Sequence, residues 1–304
     1  MLITILVGAG ASFGAFDEGP SRPPLGNQLY DRLVATYPGS WGELPKWIQD
    51  EFQGDFGFEA GMVALRQEAL STHQALLDMS CYFGSFQLPT RGRNLYRNLI
   101  FALDSLGPKF QYSFGSLNYE CLLELSMANL GHPPYYWGNS MASGPRAVLV
   151  VKPHGSCNFV PDTGSNTIQV GHFVGGNAYI DTPHLKSIGL TPGYWNSSIP
   201  AAMSLYAPGK PNLVAPTAVK RLHNDWRRVI DRSDAILIIG ARIIAEGDPH
   251  IWRPIFQSSA PIGFIGGVDA MSEYSLGVRL TIIGSRWESC EPELHTWLQQ
   301  TVPQ

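Results

Sequence analysis

A doubly wound α/β fold, built on a mainly parallel Rossmann-like sheet, follows from three features of this 304-residue chain. Continuous apolar runs of five or six residues recur along it, as expected of strands covered on both faces. Helical spacing separates most of these runs, the alternation that builds crossover units. A glycine turn, Gly8-Ala9-Gly10-Ala11-Ser12, closes the first run at the kind of place where such folds meet ligands. The expected organisation is a single domain over 1–304, with a helical insert at about 43–106 and a loop-rich insert at about 155–216.

Residues 2–7 are apolar and β-rich, without a basic leader, and run straight into the glycine turn; this reads as a buried strand and not a signal peptide. A first helix is expected at the turn. A second spans Gly26 through Tyr37, with Leu29, Leu33 and Val34 at helical spacing and Pro38-Gly39 as its stop. Between about 43 and 106, leucines recur at intervals near three and four with no strand among them, as in a helical layer over the first crossover. Strand character returns at 110–114, 147–151, 235–239, 261–265 and 278–283. From Gly155 to about Pro216 the text turns to Gly, Pro, Asn, Ser and Thr, a loop length that is uncommon unless functional. Helix resumes at Thr217.

A formal charge of −4 supplies no broad positive field, which argues against nucleic acid as a partner; Arg91, Arg93, Lys220, Arg221, Arg227 and Arg228 read as solvated faces. No window approaches the roughly 18 apolar residues of a membrane span. A soluble, cytoplasmic protein with reduced thiols is the expectation. Cys81, Cys121, Cys157 and Cys290 are too scattered for a structural zinc site, and Cys157 reads as a packed small residue rather than a reactive thiol. His172, Asp181 and His184 match no regular ligand spacing, so no metal is expected.

Chemistry concentrates at two strand ends. Ser116-Leu117-Asn118-Tyr119-Glu120 follows one strand, and Lys152-Pro153-His154-Gly155-Ser156 follows another. An asparagine amide both donates and accepts, so Asn118 suits holding a water or sugar hydroxyls. It also suits an N-cap of the next helix, and the two roles are compatible. An imidazole, with an ordinary pKa of about 6.5, accepts a proton near neutral pH, which fits His154 as a base. A His-Gly pair at a strand end also fits a structural turn. In the glycine turn, Phe13 stands where a dehydrogenase fingerprint has its third glycine, and no acidic residue ends a second strand about twenty residues on, which disfavours hydride transfer. Asp269, after Gly266-Gly267, ends a later strand where a ribose would lie, or serves as a turn residue. Tyr135, Tyr136, Trp137, Tyr194 and Trp195 read as packing residues ahead of ring-stacking ones.

Taken in order, these phrases resemble bacterial sirtuin-like proteins of the NAD-consuming branch. Gly8-Ala9-Gly10-Ala11-Ser12 is similar to that family's G-A-G-x-S, and Pro24-Leu25-Gly26-Asn27-Gln28-Leu29 to its P-x-G-x-x-L. The Asn118 phrase resembles T-x-N-Y-D and the His154 phrase K-L-H-G-S; the stretch 216–251, with Lys220, Trp226, the run to Gly240 and Asp248, also fits. Gly240-Ala241-Arg242 departs from the family's G-Y-S or G-T-S, placing a long cation where a small hydroxyl is usual. The four clustered cysteines of the family's zinc ribbon are absent, which disfavours protein deacylation.

The resemblance implies hydrolysis of NAD, as substrate, to nicotinamide and ADP-ribose by Asn118 and His154. It places Gly8, Ala9, Gly10, Ser12, Ser116, Gly155, Gly240, Arg242, Asp248 and Asp269 around the dinucleotide. It also implies an anti-phage effector held silent until triggered, by homo-oligomer formation or a separate regulatory protein, because most of the chain is taken up by this one domain. A non-catalytic module sensing NAD or ADP-ribose is the main competing function, and a deacylase the weaker one.

Overall fold

The apolar run at the amino terminus forms strand β1 (Leu2–Val7), buried from Ile3 to Val7. Its alternate side chains enter two separate cores, Ile3, Ile5 and Val7 in one and Leu6 in the other. The computed structural model describes residues 1–17, 19, 22–55, 57–136, 146–162, 164, 169–172, 178–190, 199–204, 214–243, 248–267 and 279–301. After β1 come helices α1 (Ala9–Ala15), α2 (Gly26–Thr36), α3 (Lys46–Gln53), α4 (Gly57–Leu65), α5 (Ala69–Gly84) and α6 (Leu95–Asp104). The last four occupy the stretch expected to be helical. At the start of α6 the Asn94 side chain accepts the Arg97 N–H, satisfying a donor the helix leaves open.

Strand β2 (Gln111–Ser116) leads through the Asn118 loop to α7 (Leu122–Asn129), then to β3 (Pro134–Tyr135) and β4 (Val148–Val151). The loop-rich stretch holds two antiparallel pairs: β5 (Phe159–Pro161) with a later strand numbered β8 (Leu185–Ser187), and β6 (Gln169–His172) with β7 (Ala178–Asp181). Helix α8 (Pro216–Ile230) begins one residue before the expected start, and the Asp181 carboxylate accepts the Thr217 N–H and hydroxyl there. Then follow β9 (Ala235–Ile239), α9 (Pro249–Gln257), β10 (Ile262–Ile265), β11 (Leu280–Gly284) and α10 (Glu291–Thr301).

Seven strands form one sheet in the order β11-β10-β9-β1-β2-β4-β3, every neighbouring pair parallel. Both faces are covered. Leu237 and Ile239 join β1's first core, while Ile236, Ile238, Ile262 and Phe264 pack with Trp226 of α8 and Trp252 of α9 in the second. Gly115 makes room for that packing, since a Cβ there would meet the Trp226 ring at 2.3 Å. The chain builds outward from β1 through β2 and β4, then returns to β9 on β1's other side. That reversal opens a crevice at the carboxyl ends of β1 and β9. Among the described residues, no helix is long and apolar enough to cross a membrane.

Candidate active site

At the reversal the backbones of two loops touch. Gly8 N–H donates to the Ile239 carbonyl at 3.0 Å, and Gly10 N–H to the Gly240 carbonyl at 2.9 Å. Gly240 has φ +60°, and a Cβ on it would lie 2.1 Å from the Ala11 nitrogen, so only glycine permits this approach. Two amides of the turn are therefore committed to the sheet edge, while Ala9 is exposed. Beside them a cavity of about 430 Å³ is lined by Gly10, Arg22, Gly240, Gly266, Arg286 and Glu288, among others. Arg22 is held there by its Nε donating to the Phe13 carbonyl, with the guanidinium 3.5 Å over the Phe13 ring. A larger cavity, about 510 Å³, opens at the opposite edge by Leu2, Gln111 and Val148; Tyr135 lines it, but none of the expected catalytic or dinucleotide-binding residues does. The smaller one lies where the strand-end loops converge, and it is the one that extends the site.

Asn118 follows β2 and is 8% exposed. Its Nδ2 donates to the Gly8 carbonyl at 3.1 Å and to Ser12 Oγ at 2.9 Å, which uses both amide hydrogens. Ser12 Oγ donates to Glu120 Oε1, so Tyr96 OH, 2.7 Å away, must donate to Ser12. With its donors tied inward, the group Asn118 can offer a ligand is Oδ1, an acceptor. Asn118 does not cap α7; the Glu120 carboxylate does that work by accepting the Leu122 N–H at 2.6 Å.

Behind this cluster lies a buried ion pair. Lys152, wholly inaccessible, donates to Glu124 Oε1 at 2.9 Å and to the Glu120 carbonyl at 2.7 Å. Burial alone would lower the Lys152 ammonium, but the neighbouring Glu124 and the thiols outweigh it and raise it. Burial raises the Glu120 carboxyl, against the lowering effect of Lys152 and its hydrogen bonds. The β2 and β4 loops are also stitched directly, with Cys157 N–H donating to the Tyr119 carbonyl at 2.9 Å and Ser156 Oγ at 3.2 Å.

His154 follows β4, is 3% exposed, and its carbonyl accepts the Ser204 N–H at 2.7 Å. Its Nε2 lies 3.3 Å from Asp248 Oδ1, at the start of α9. This contact reaches from the loop after β4 to the loop after β9, across the ends of β2 and β1 where Asn118 and Gly8 sit. His250 and His223 complete the group: His154 and His250 ring centroids are 5.5 Å apart, and His223 stacks on His250 at 3.9 Å. Burial, then His154, pushes the His223 imidazole down to about 4; burial, then His223 and His154, pushes His250 down to about 3. Both are neutral near pH 7. Burial would raise the Asp248 carboxyl, but the His154 hydrogen bond and the imidazole charges hold it below its usual value. It is a carboxylate.

The other expected residues fall in different places. Ser116 Oγ accepts the Asn118 N–H, shaping the loop from a buried position. Gly155 has φ +75°, and a Cβ there would collide with the Ala202 carbonyl at 1.9 Å. Arg242 is exposed and does not line the cavity. Asp269, Trp137, Tyr194 and Trp195 lie outside the described residues, as do the surroundings of the His172 side chain. Cys157 is buried, its thiol pushed well up by burial and then by Cys121, as expected of an inert packed residue. Tyr136 is buried with its hydroxyl donating to Glu124.

Sequence reasoning missed His223, His250, Arg22 and Arg286. Asp248-Pro249-His250 stands just past β9, and the strand-end argument used for Asn118 and His154 applies equally there. His223 carries no such signal, because it comes from the middle of α8.

The chain is similar to solved Sir2 structures. A Sir2 homolog in complex with NAD shares 13% identity, covering 99% of this chain and 91% of the other, with a TM-score of 0.49. A Sir2 homologue mutant in complex with ADP ribose shares 12%, covering 100% and 94%, with a TM-score of 0.46. A structure from work on the mechanism and regulation of Sir2 enzymes shares 12%, covering 98% and 92%, with a TM-score of 0.45. No family model matches the chain, and no curated protein matches it significantly.

Proposed function

We propose that this chain hydrolyses NAD to nicotinamide and ADP-ribose, with Asn118 and His154 as its catalytic residues. The observation carrying this reading is the fixed orientation of the Asn118 amide, Oδ1 left as acceptor, at the end of one of the two strands that lie between the elements joined by the His154–Asp248 contact. The five sequence phrases in sirtuin-like order supply the substrate.

The bond from ribose C1′ to the nicotinamide nitrogen breaks with its electron pair going to the ring, which leaves neutral and needs no acid. Positive charge then develops on the ribose, and water adds to C1′. Asn118 Oδ1 accepts a hydrogen bond from that water or from a ribose hydroxyl, fixing the line of approach. His154 takes the proton the water loses, and the Asp248 carboxylate stabilises the resulting imidazolium. Ser12 and Glu120 act as positioning residues, since their contacts run through Asn118 and not to the ligand. The cavity between Gly10, Gly240 and Gly266 takes the adenosine diphosphate end, with the Arg22 and Arg286 cations beside the diphosphate charge. As an effector, such an enzyme requires restraint until a trigger arrives, by self-assembly or a partner.

The test is mass spectrometry of NAD incubated with the chain in heavy-oxygen water. The expected products are nicotinamide and ADP-ribose carrying one heavy oxygen on the ribose. Thermal stabilisation by NAD that remains uncleaved, with and without candidate partners, would favour a sensor; acyl-ADP-ribose formed from an acyl-lysine peptide would favour a deacylase.

A further inference from the structure

Water activation needs one imidazole, yet the crevice gathers three around one carboxylate. Ligand atoms of His154, Asp248 and His250 all lie within 4.8 Å of one another. Two ligands about 2.0–2.1 Å from a tetrahedral zinc-type ion stand roughly 3.3–3.4 Å apart. His154 Nε2 and Asp248 Oδ1 are already 3.3 Å apart, so His250 need only close in by about 1.5 Å or less, by side-chain rotation. Asp248 and His250 are carried together at the first turn of α9, with Pro249 between them, while His154 arrives on the separate β4 loop.

A second observation points the same way. The Nε2 atoms of His250 and His223 are buried and make no hydrogen bond among the described residues. Buried polar atoms are ordinarily paired, because leaving them so forfeits their hydration for nothing. Two stacked imidazoles would be replaced by apolar side chains without loss if they served packing alone. A cation seated between His154, Asp248 and His250 supplies the missing partner for His250, and the His223 ring, 3.9 Å behind it, restricts its rotation.

We propose that His154, Asp248 and His250 bind one divalent transition-metal ion of the zinc class, with His223 as a positioning residue stacked on His250. Two imidazoles and a carboxylate, without thiolate, suit zinc, cobalt, nickel or copper(II) in preference to magnesium or calcium. Three protein ligands leave a coordination position for water. If the NAD reading also holds, on which this one consequence rests, the ion takes both His154 Nε2 and the Asp248 carboxylate that stabilises the imidazolium, so metal binding and NAD cleavage exclude each other.

The test uses the full chain and cobalt(II) alone, without NAD, so that it stands or falls apart from the hydrolase assignment. Titration is expected to give one cobalt per chain, with the visible bands of a four- or five-coordinate site, paramagnetically shifted histidine ring protons, no thiolate charge-transfer band, and displacement by zinc. His250→Ala and Asp248→Asn are each expected to weaken binding at least tenfold, and His223→Ala less. His132→Ala, at the His132–Asp104 pair on the opposite edge, is expected to leave affinity unchanged. His250→Asn serves in place of a His250→Ala chain that does not fold. Equal cobalt affinity in wild type and either His250 variant, a thiolate band placing the ion at Cys121 and Cys157, or no binding at tens of micromolar metal would each overturn the proposal. Zinc that binds but leaves NAD turnover intact would overturn only the mutual exclusion.

Discussion

On the Asn118 side of the crevice, the side-chain polar hydrogens of Asn118, Ser12 and Tyr96 all have protein acceptors. On the His154 side, the Nε2 atoms of His223 and His250 are buried without a hydrogen-bond partner among the described residues. The first wall rests on an ion pair of complete burial, Lys152 with Glu124, inherited by Asn118 through Glu120 and Ser12. The second is assembled from three separate elements, the end of β4, the middle of α8 and the start of α9, meeting through ring contacts. One wall fixes an acceptor in space and the other holds lone pairs available for a proton or a cation. Substitutions in the first should therefore be read mainly in stability, and those in the second mainly in chemistry.

Lys152→Met probes the contrast most severely. It leaves the buried Glu124 charge without its cation, with only the Tyr136 hydroxyl donating to it, and unfolding in urea should show a loss of about 3–5 kcal/mol. A cost below about 1 kcal/mol would mean that the network does not support the wall as described. Ser12→Ala comes next, with a stability loss of about 1–3 kcal/mol from the unpaired Glu120 and Asn118 groups. Its effect on NAD turnover should fall on kcat and not on KM, because Ser12 holds Asn118 and does not face the ligand; a change confined to KM would make it a ligand contact instead.

Glu120 offers a finer test through pH. Burial raises its folded carboxyl above the ordinary value, so the native chain holds this proton more tightly than the unfolded chain does. Its contribution to stability is thus complete below the ordinary carboxyl range and declines as pH rises through the raised value. Relative to Glu120→Gln, the wild type should lose stability on going from about pH 4 to about pH 7; a gain would reverse the sign of the argument. The smallest effect is expected from His223→Phe, which removes one buried nitrogen unpaired among the described residues together with the ring's hydrogen bond to the Pro153 backbone, two opposing effects that should change stability by no more than about 1 kcal/mol. A loss above about 2 kcal/mol would show that this wall, too, depends on its polar contacts.

The sheet was legible because its strands are buried on both faces and so read as continuous apolar runs; 2–7, 110–114, 147–151, 235–239 and 261–265 each match a strand to within two residues at either end. β3 was not, having two residues and no periodicity of its own, and the four short strands after Gly155 were hidden among turn-forming residues for the same reason. Asn118 and His154 stood out by their position at strand ends. Glu120 and Lys152 sat inside the same phrases, yet nothing local reveals that a charge will be buried, since that depends on what the β2 and β4 loops bring to each other. Asp248 was anticipated, but its pairing with His154 depends on strands far apart in sequence, β4 and β9, lying with only β2 and β1 between them in the sheet, and His223 required α8 to be laid across them.

Nicotinamide release from NAD by the wild type, Asn118→Ala and His154→Ala, each shown to unfold at a similar temperature, tests the central claim most directly. Wild-type turnover with losses of about a hundredfold or more in both variants is the predicted result. Undiminished release from either folded variant would contradict it.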